Sequence, residues 1–537
     1  MAVPDYDAVV VGAGFGGIRT MLELQALGIS MVCFDAASDV GGTWWWNRYP
    51  GARSDGEASI YTLKFSKEVA DAWDYSEKYP TQQEIQSYLA RVVDHYDLRR
   101  RIQFNVQVVS AKYSDEHQVW TIETAAGRSF TCRYFIPATR TLSVPRDPPF
   151  KGLERFTGKV YQSSNWPSQG VSLEGKRVAI VGTGSTGVQL VPKLAPAVKQ
   201  LLVLQRTPCY AIPGRNEGID EFRAAEIKSH NEESWKLAIN NPVGHDSVAA
   251  SKIMKGLDPA TIRQYLDKGW ESGFLPFQLH SFADIYTDPE SNEIISQYVR
   301  DKIHAIVDDQ ATADLLSPSY PFGTKRPTCE HGYYKTFNRS NVKPVDVSGG
   351  DVEVREKGLV TADGTQHEVD IIIFAVGFDA GPGALGRIDI QGSSEKSLKG
   401  AWAESLQTFA GVLVPEFPNM FIINGPHSSV GNQPTTVEVA VDWMGKVVAY
   451  MREHQISIVD VKQEAAAAWT QHVSDLWNFL LVSKPAAAAR SWFVGANVPG
   501  KKPEILMYFG GIPNWRSWLD KEVFGGWASL KFTSPSG

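Results

Sequence analysis

Twice along the chain a short run of β-branched residues leads into a glycine-rich turn and then into apolar positions at helical spacing. In the first instance Val9-Val10-Val11 precedes Gly12-Ala-Gly14-Phe-Gly-Gly17, after which Ile18, Met21, Leu22 and Ala26 fall on one helical face. Gly28 ends that helix, and Met31 to Phe34 reads as a second buried strand closing on Asp35. In the second, Val178 to Val181 precedes Gly182-Thr-Gly184-Ser-Thr186-Gly187, and Val188, Val191 and Leu194 keep the helical register. The strand predicted over Leu201 to Leu204 then ends in Gln205-Arg206-Thr207. A third Gly-x-Gly-x-x-Gly run, Gly381-Pro-Gly383-Ala-Leu-Gly386, has no strand before it and carries Pro382 in the turn, so it reads as a surface loop. With 46 glycines in 537 residues, such a run arises by chance about 0.3 times per chain, so the strand, turn, helix and strand in order carry the assignment.

That order is a dinucleotide fingerprint. The glycines let backbone N–H groups and a helix N-terminus approach a pyrophosphate, and an acid such as Asp35 accepts hydrogen bonds from a ribose. An acid in the second unit would repel a 2′-phosphate, whereas Arg206 with the Thr207 hydroxyl binds one, which favours NADP over NAD. Two such units in one chain point to a flavoprotein fed by NADPH.

Between and beyond the units the pattern changes. Thr141 to Pro149 is proline-rich and reads as a linker, and residues 215–324 are of mixed charge with helix signals such as Asp288 before Pro289. Strand signals return at Ile371 to Phe374 and at Met420 to Ile423, the latter placed to bring the chain back to the first unit. The expected fold class is α/β, with two Rossmann-like dinucleotide-binding domains and a helical insertion. The first domain takes residues 1–140 and 381–537, the second 141–214 and 325–380, and the insertion 215–324.

Composition narrows the function. Hydrophobic residues make up 43% of the chain, the net charge is −7, and no Lys/Arg run exceeds Arg99 to Arg101, which argues against a nucleic-acid partner. Cys33, Cys132, Cys209 and Cys329 form no Cys-x-x-Cys pair, which disfavours a disulfide framework, a zinc site and a flavin disulfide reductase. The 11 histidines show no metal-ligand spacing, so no metal is expected, and His331 and His427 read as polar loop residues. An acidic N-terminus and the lack of any apolar run near ~20 residues predict a cytoplasmic protein without a membrane partner. Trp44, Trp45 and Trp46 are adjacent and so cannot all face one core; some must meet a ligand or an interface.

Further motifs carry a family resemblance over nearly the whole chain. Phe156-Thr-Gly158-Lys-Val-Tyr-Gln162-Ser-Ser-Asn-Trp166-Pro167 resembles the signature of the type I Baeyer–Villiger monooxygenases, with Gln162 where that signature has histidine. Gly41 to Asp55, Thr324 to Pro327, Gly332 to Arg339 and Ser491 to Lys501 resemble further segments of that family. The chain departs from it at Arg140, at Val376 within Ala375-Val-Gly377, and at Ser54 and Gly56 beside Asp55.

What the resemblance implies is a reaction. NADPH reduces FAD, dioxygen adds to give a flavin C4a-peroxide, and this attacks a ketone carbonyl to leave an ester or lactone. The resemblance makes Arg326 the catalytic cation and Asp55 the acid that orients it. It puts Lys325 with Arg206 and Thr207 on the 2′-phosphate, and Trp492 on a loop that closes over NADP and substrate. The candidate cofactor-binding set is Gly12, Gly14, Gly17, Asp35, Thr43, Trp44, Asp55, Gly182, Gly184, Thr186, Gly187, Gln189, Arg206, Thr207, Lys325 and Trp492. The substrates expected are a small ketone and O2. Oxygenation of sulfides or amines is the alternative, and a nucleotide-binding protein with degenerate catalysis a further one. Gln162 fits a hydrogen-bonded hinge, since an amide donates and accepts but does not titrate near neutral pH.

Overall fold

A computed structural model describes residues 3–71, 73–139 and 142–534. Two separate parallel-rich sheets carry the two glycine turns. The first has seven strands, in the order Asp389–Gln391, Val108–Ser114, Val119–Thr124, Ser129–Pro137, Tyr6–Val11, Met31–Phe34, Ile102–Gln103. All its pairings are parallel except those of Val119–Thr124, which runs antiparallel to both neighbours. The second has five parallel strands, Val342–Asp346, Gln200–Gln205, Arg177–Val181, Ile371–Phe374 and Lys159–Gln162.

The β-branched runs are apolar at every position because both faces of these strands are covered. Ala8 and Val10 enter one core cluster and Val9 and Val11 another, on opposite sides of the first sheet. Val178 and Ile180 separate from Ala179 and Val181 in the same way. The predicted helices follow as Phe15–Ala26, with Gly28 at φ 66° just beyond its end, and Ser185–Leu194.

Between 215 and 324 the regular elements are helices: Glu221–Ser229, Asn231–Asn240, Pro259–Ser272, Phe274–His280, Pro289–Ile306 and Gln310–Leu316. Asp288 caps Pro289–Ile306 by accepting from the amides of Glu290 and Ser291. This segment leaves and returns through one parallel strand pair, Ala211–Pro213 with Thr328–Glu330. That clamp holds Lys325 and Arg326 close to the end of the second unit.

Two sequence expectations change. Residues 419–423 form an isolated bridge rather than a regular strand, yet Phe421 and Ile423 donate to the carbonyls of Phe135 and Pro137 and so rejoin the first sheet. The third glycine run forms short 3₁₀ turns, Gly381–Gly383 and Leu385–Arg387, with Gly381 and Leu385 buried. It is a packed turn and not a surface loop, because Gly381 lies against Leu506, whose side chain would stand 3.2 Å from an added Cβ. Among the described residues no helix is long and apolar enough to cross a membrane. Arg140, at the domain crossing, lies outside the described residues.

Candidate active site

The glycine turns are fixed by sterics. An added Cβ on Gly17 would stand 1.7 Å from the carbonyl oxygen of Gly12, and one on Gly187 would stand 2.1 Å from that of Gly182. Gly12 and Gly182 take φ 108° and 111°, which an L side chain resists. Gly184 differs: a Cβ there would meet nothing within 4 Å, so its backbone faces open space at the start of helix Ser185–Leu194. In dinucleotide-binding folds a pyrophosphate approaches the corresponding helix N-terminus. In the first unit Gly14 instead faces Gly42, whose Cα would be 3.3 Å from an added Cβ.

Asp35 sits at the end of Met31–Phe34, as its sequence position implies. Its carboxylate accepts from the amides of Ala13 at 2.6 Å and Ala37 at 2.7 Å. Burial raises its pKa, and these two hydrogen bonds oppose the rise. The three tryptophans diverge. Trp44 is buried edge-on against Tyr61 at 5.7 Å, Trp45 lies under the Arg48 guanidinium at 4.2 Å, and Trp46 is exposed. Among the described residues the buried Trp44 indole N–H has no partner. Thr43 begins the short helix Thr43–Trp46, and its carbonyl accepts from Asn47.

Arg326 joins the two units. Its Nη1 lies 2.6 Å from Asp55 Oδ2, and its Nη2 donates to Ser185 Oγ at 2.7 Å. Asp55 belongs to the loop after the tryptophans, whereas Ser185 opens the helix of the second glycine turn. A second tie runs alongside. The buried Tyr49 hydroxyl donates to Gln189 Oε1 at 2.8 Å, and Gln189 Nε2 donates to the Arg53 carbonyl at 3.1 Å. Burial raises the Tyr49 pKa, which the neighbouring Thr186 hydroxyl partly offsets. Gln189, expected from the sequence to bind cofactor, also joins the units, since both ends of its amide find partners across the junction.

Basic side chains gather at the end of strand Gln200–Gln205. Burial and then the charges of Arg490 and Arg146 pull Arg206 down to about 10. Burial and Arg206 pull Lys325 down to about 8. Thr207 lies beside them, its carbonyl accepting from the Thr183 hydroxyl at 2.9 Å. Trp492 begins the turn Trp492–Val494 and packs at 4.9 Å from Phe493. Its segment is tied to the second unit by Asn497 Nδ2, which donates to Phe378 O at 2.8 Å, and by Lys501 Nζ, 2.7 Å from Asp379 Oδ1.

Comparison with known proteins decides the family. Residues 7–217 match the flavin-binding monooxygenase-like (FMO-like) family. The chain is 36% identical to cyclohexanone 1,2-monooxygenase of an Acinetobacter species, over 96% of this chain and 94% of that protein. It is 34% identical to phenazine N-monooxygenase PhzNO1 of Lysobacter antibioticus, over 96% and 94% respectively. The crystal structure of cyclohexanone monooxygenase from Rhodococcus sp. Phi1 bound to NADP+ superposes with a TM-score of 0.95 at 36% identity, covering 98% of this chain and 99% of that one. The chain belongs to the type I Baeyer–Villiger monooxygenases.

Members of this family use FAD and NADPH, and the residues fit both. Among the described residues the buried Trp44 N–H lacks a partner, which leaves it a donor compatible with an acceptor on a bound cofactor. The open face of Gly184 and the cluster of cations near Arg206 are chemically compatible with the pyrophosphate and 2′-phosphate of NADP. Gln162 donates from Nε2 to the Arg146 carbonyl at 2.9 Å, tying strand Lys159–Gln162 to the segment that carries Arg146. His427 is a turn residue but fully buried, bonded to Ile505 O at 3.2 Å, and burial lowers its pKa to about 4. Sequence reasoning passed over Ser185, Arg146 and Arg490. Ser185 was visible as the variable position of the second fingerprint, while the two arginines come from segments with no motif of their own.

Proposed function

We propose that this Baeyer–Villiger monooxygenase converts a small ketone, O2, NADPH and a proton into an ester or lactone, NADP+ and water at the Asp55–Arg326 junction. When bound, FAD supplies the redox chemistry between NADPH and O2. The protein's own part is electrostatic. Negative charge grows on oxygen atoms as one oxygen enters beside the carbonyl, and a guanidinium, protonated at all working pH values, stabilises it without moving a proton. Asp55 holds one η-nitrogen and Ser185 the other, so the charge is fixed in place before the reaction rather than recruited during it. The single observation that carries the reading is this two-sided hold on Arg326, made from the FAD side and the NADP side at once.

The same proposal assigns Arg206, Thr207 and Lys325 to the 2′-phosphate, and Trp492 to a loop that excludes water. It assigns residues 1–140 and 381–537 to the FAD domain, 141–214 and 325–380 to the NADP domain, and 215–324 to the insertion. Four buried, free cysteines suit reducing cytoplasm. Product analysis of a ketone panel under ¹⁸O2 with NADPH tests it: one labelled oxygen should appear in the ester. Consumption of NADPH with no labelled ester from any ketone sinks the proposal. The relative named for phenazine N-oxygenation supports a second reading, amine oxygenation, and a labelled N-oxide without ester would establish that one instead.

A further inference from the structure

Arg490 stands two residues before Trp492, in a tight turn. Its amide donates to Ala487 O at 3.0 Å, Ser491 N reaches back to Ala486 O at 2.8 Å, and Arg490 itself takes φ 54°. A left-handed conformation is unfavourable for a residue with a Cβ, so the turn is imposed by its surroundings. The side chain is exposed and, among the described residues, forms no ion pair with a carboxylate.

Three other cations share its surroundings. Arg146 Nη1 donates to Val376 O at 3.2 Å, and its backbone N–H donates to Gly377 O at 3.0 Å. The Trp492 segment is bonded to the next two residues of that turn, Phe378 and Asp379, through Asn497 and Lys501. The linker and the Trp492 segment therefore meet on one turn at the C-terminal end of strand Ile371–Phe374, the edge where α/β sheets bind ligands. Arg490 lies close enough to Arg146, Arg206 and Lys325 to lower the pKa of all three. Asp379 attracts Arg146 but is itself bonded to Lys501. Four cations drawn from four separate segments are mutually repulsive until an anion joins them.

We propose that Arg490 is a specificity-determining residue that brings a further cation to the 2′-phosphate of NADP from the Trp492 segment, so that the segment settles over the cofactor when that phosphate is present. The proposal rests on the assignment of Arg206, Thr207 and Lys325 to the same phosphate. It extends that assignment by coupling cofactor choice to the position of the segment. NAD, which lacks the phosphate, leaves the repulsion in place and the segment unsettled.

The test titrates the FAD-loaded enzyme with NADP+ and with NAD+ for the wild type, Arg490→Ala, Arg490→Lys and Arg206→Ala. Loss of one charge-assisted contact should weaken NADP+ about tenfold or more in Arg490→Ala. NAD+ binding should hold or tighten, and Arg490→Lys should recover most of the loss. Amide exchange supplies a second readout: NADP+ should protect residues 490–501 in the wild type more than in Arg490→Ala. Equal weakening of both nucleotides by Arg490→Ala, or of neither, overturns the proposal provided that Arg206→Ala still lowers the NADP+ to NAD+ preference. If Arg206→Ala leaves that preference unchanged, the phosphate assignment itself fails.

Discussion

Arg326 owes its position to two bonds from opposite sides, and those bonds have separable consequences. Arg326→Ala removes the charge itself, so ester formation should fall by roughly 10²–10³-fold or more, the usual cost of losing one preorganised oxyanion donor, while NADPH oxidation persists. Ser185→Ala keeps the charge and the Asp55 bond but frees one η-nitrogen, so kcat for the ester should fall by roughly tenfold, the order of a lost charged hydrogen bond. A Ser185→Ala enzyme as impaired as Arg326→Ala, read by gas chromatography of the ester against NADPH absorbance, would show that Ser185 does more than position. Lys325 adds a pH dependence. Burial, Arg206 and Arg490 lower it to about 8. A depressed lysine is increasingly neutral above that pH in the unliganded protein, and the 2′-phosphate favours its charged form. NADP+ binding should therefore take up a proton above about pH 8 and weaken by up to about tenfold per pH unit there. Calorimetry in buffers of different ionisation enthalpy checks this; NAD+ should take up none through Lys325, and equal uptake by both nucleotides refutes the assignment.

The strand–turn–helix element was legible in the sequence because sterics demand glycine at fixed offsets. Gly17 and Gly187 sit against carbonyl oxygens with no room for a methyl group, and Gly12 and Gly182 need a positive φ. No such packing constraint holds Gly184, where an added Cβ would meet nothing within 4 Å, and the proposed function assigns its backbone to the pyrophosphate. The two kinds of glycine should separate experimentally. Gly187→Ala forces the helix away from the strand and should destabilise the NADP unit, by more than the ~1 kcal/mol that a glycine-to-alanine change typically moves stability. Gly184→Ala should leave the melting temperature within a few degrees while weakening NADP+ at least tenfold, because a methyl group then stands between backbone and pyrophosphate. Thermal melts and nucleotide titrations of both variants decide it, and a Gly184→Ala enzyme that binds NADP+ normally removes the pyrophosphate from that turn. The element at 419–423 shows the opposite case. Its apolar run announced a strand, but Asn419 takes φ 56° and Ile422 N donates to Val412 O on the side away from the sheet, leaving only a bridge to Phe135, and a lone run of residues does not reveal which partners it will find.

At the scale of the molecule, what the sequence concealed were relations between distant segments: Ser185 with Arg326, Gln189 with Tyr49 and Arg53, and Arg490 with Lys325. Each pair is set by how two units pack, and periodicity along one segment holds no record of that. Gln189 is instructive, since its place in the fingerprint helix pointed to the cofactor and gave no sign of its bonds to Tyr49 and Arg53. The Trp492 segment depends on the same kind of long-range contact. Lys501 to Asp379 and Asn497 to Phe378 O hold it against the NADP unit. A partly exposed ion pair of this sort is worth about 0.2–1 kcal/mol, enough to change the open population of a lid by up to about fivefold but too little to unfold a chain of this size. Asp379→Asn and Lys501→Met should therefore retain the circular dichroism spectrum and NADPH consumption of the wild type, yet direct less of that NADPH into ester. The missing equivalents should appear as hydrogen peroxide, because a segment that opens more often admits water to the site. Paired assays of ester, NADPH and peroxide measure the split directly. If both variants kept the wild-type ratio of ester to NADPH, the segment would have to be held by its backbone contacts alone, and the bridge to Asp379 would have no part in closing the site.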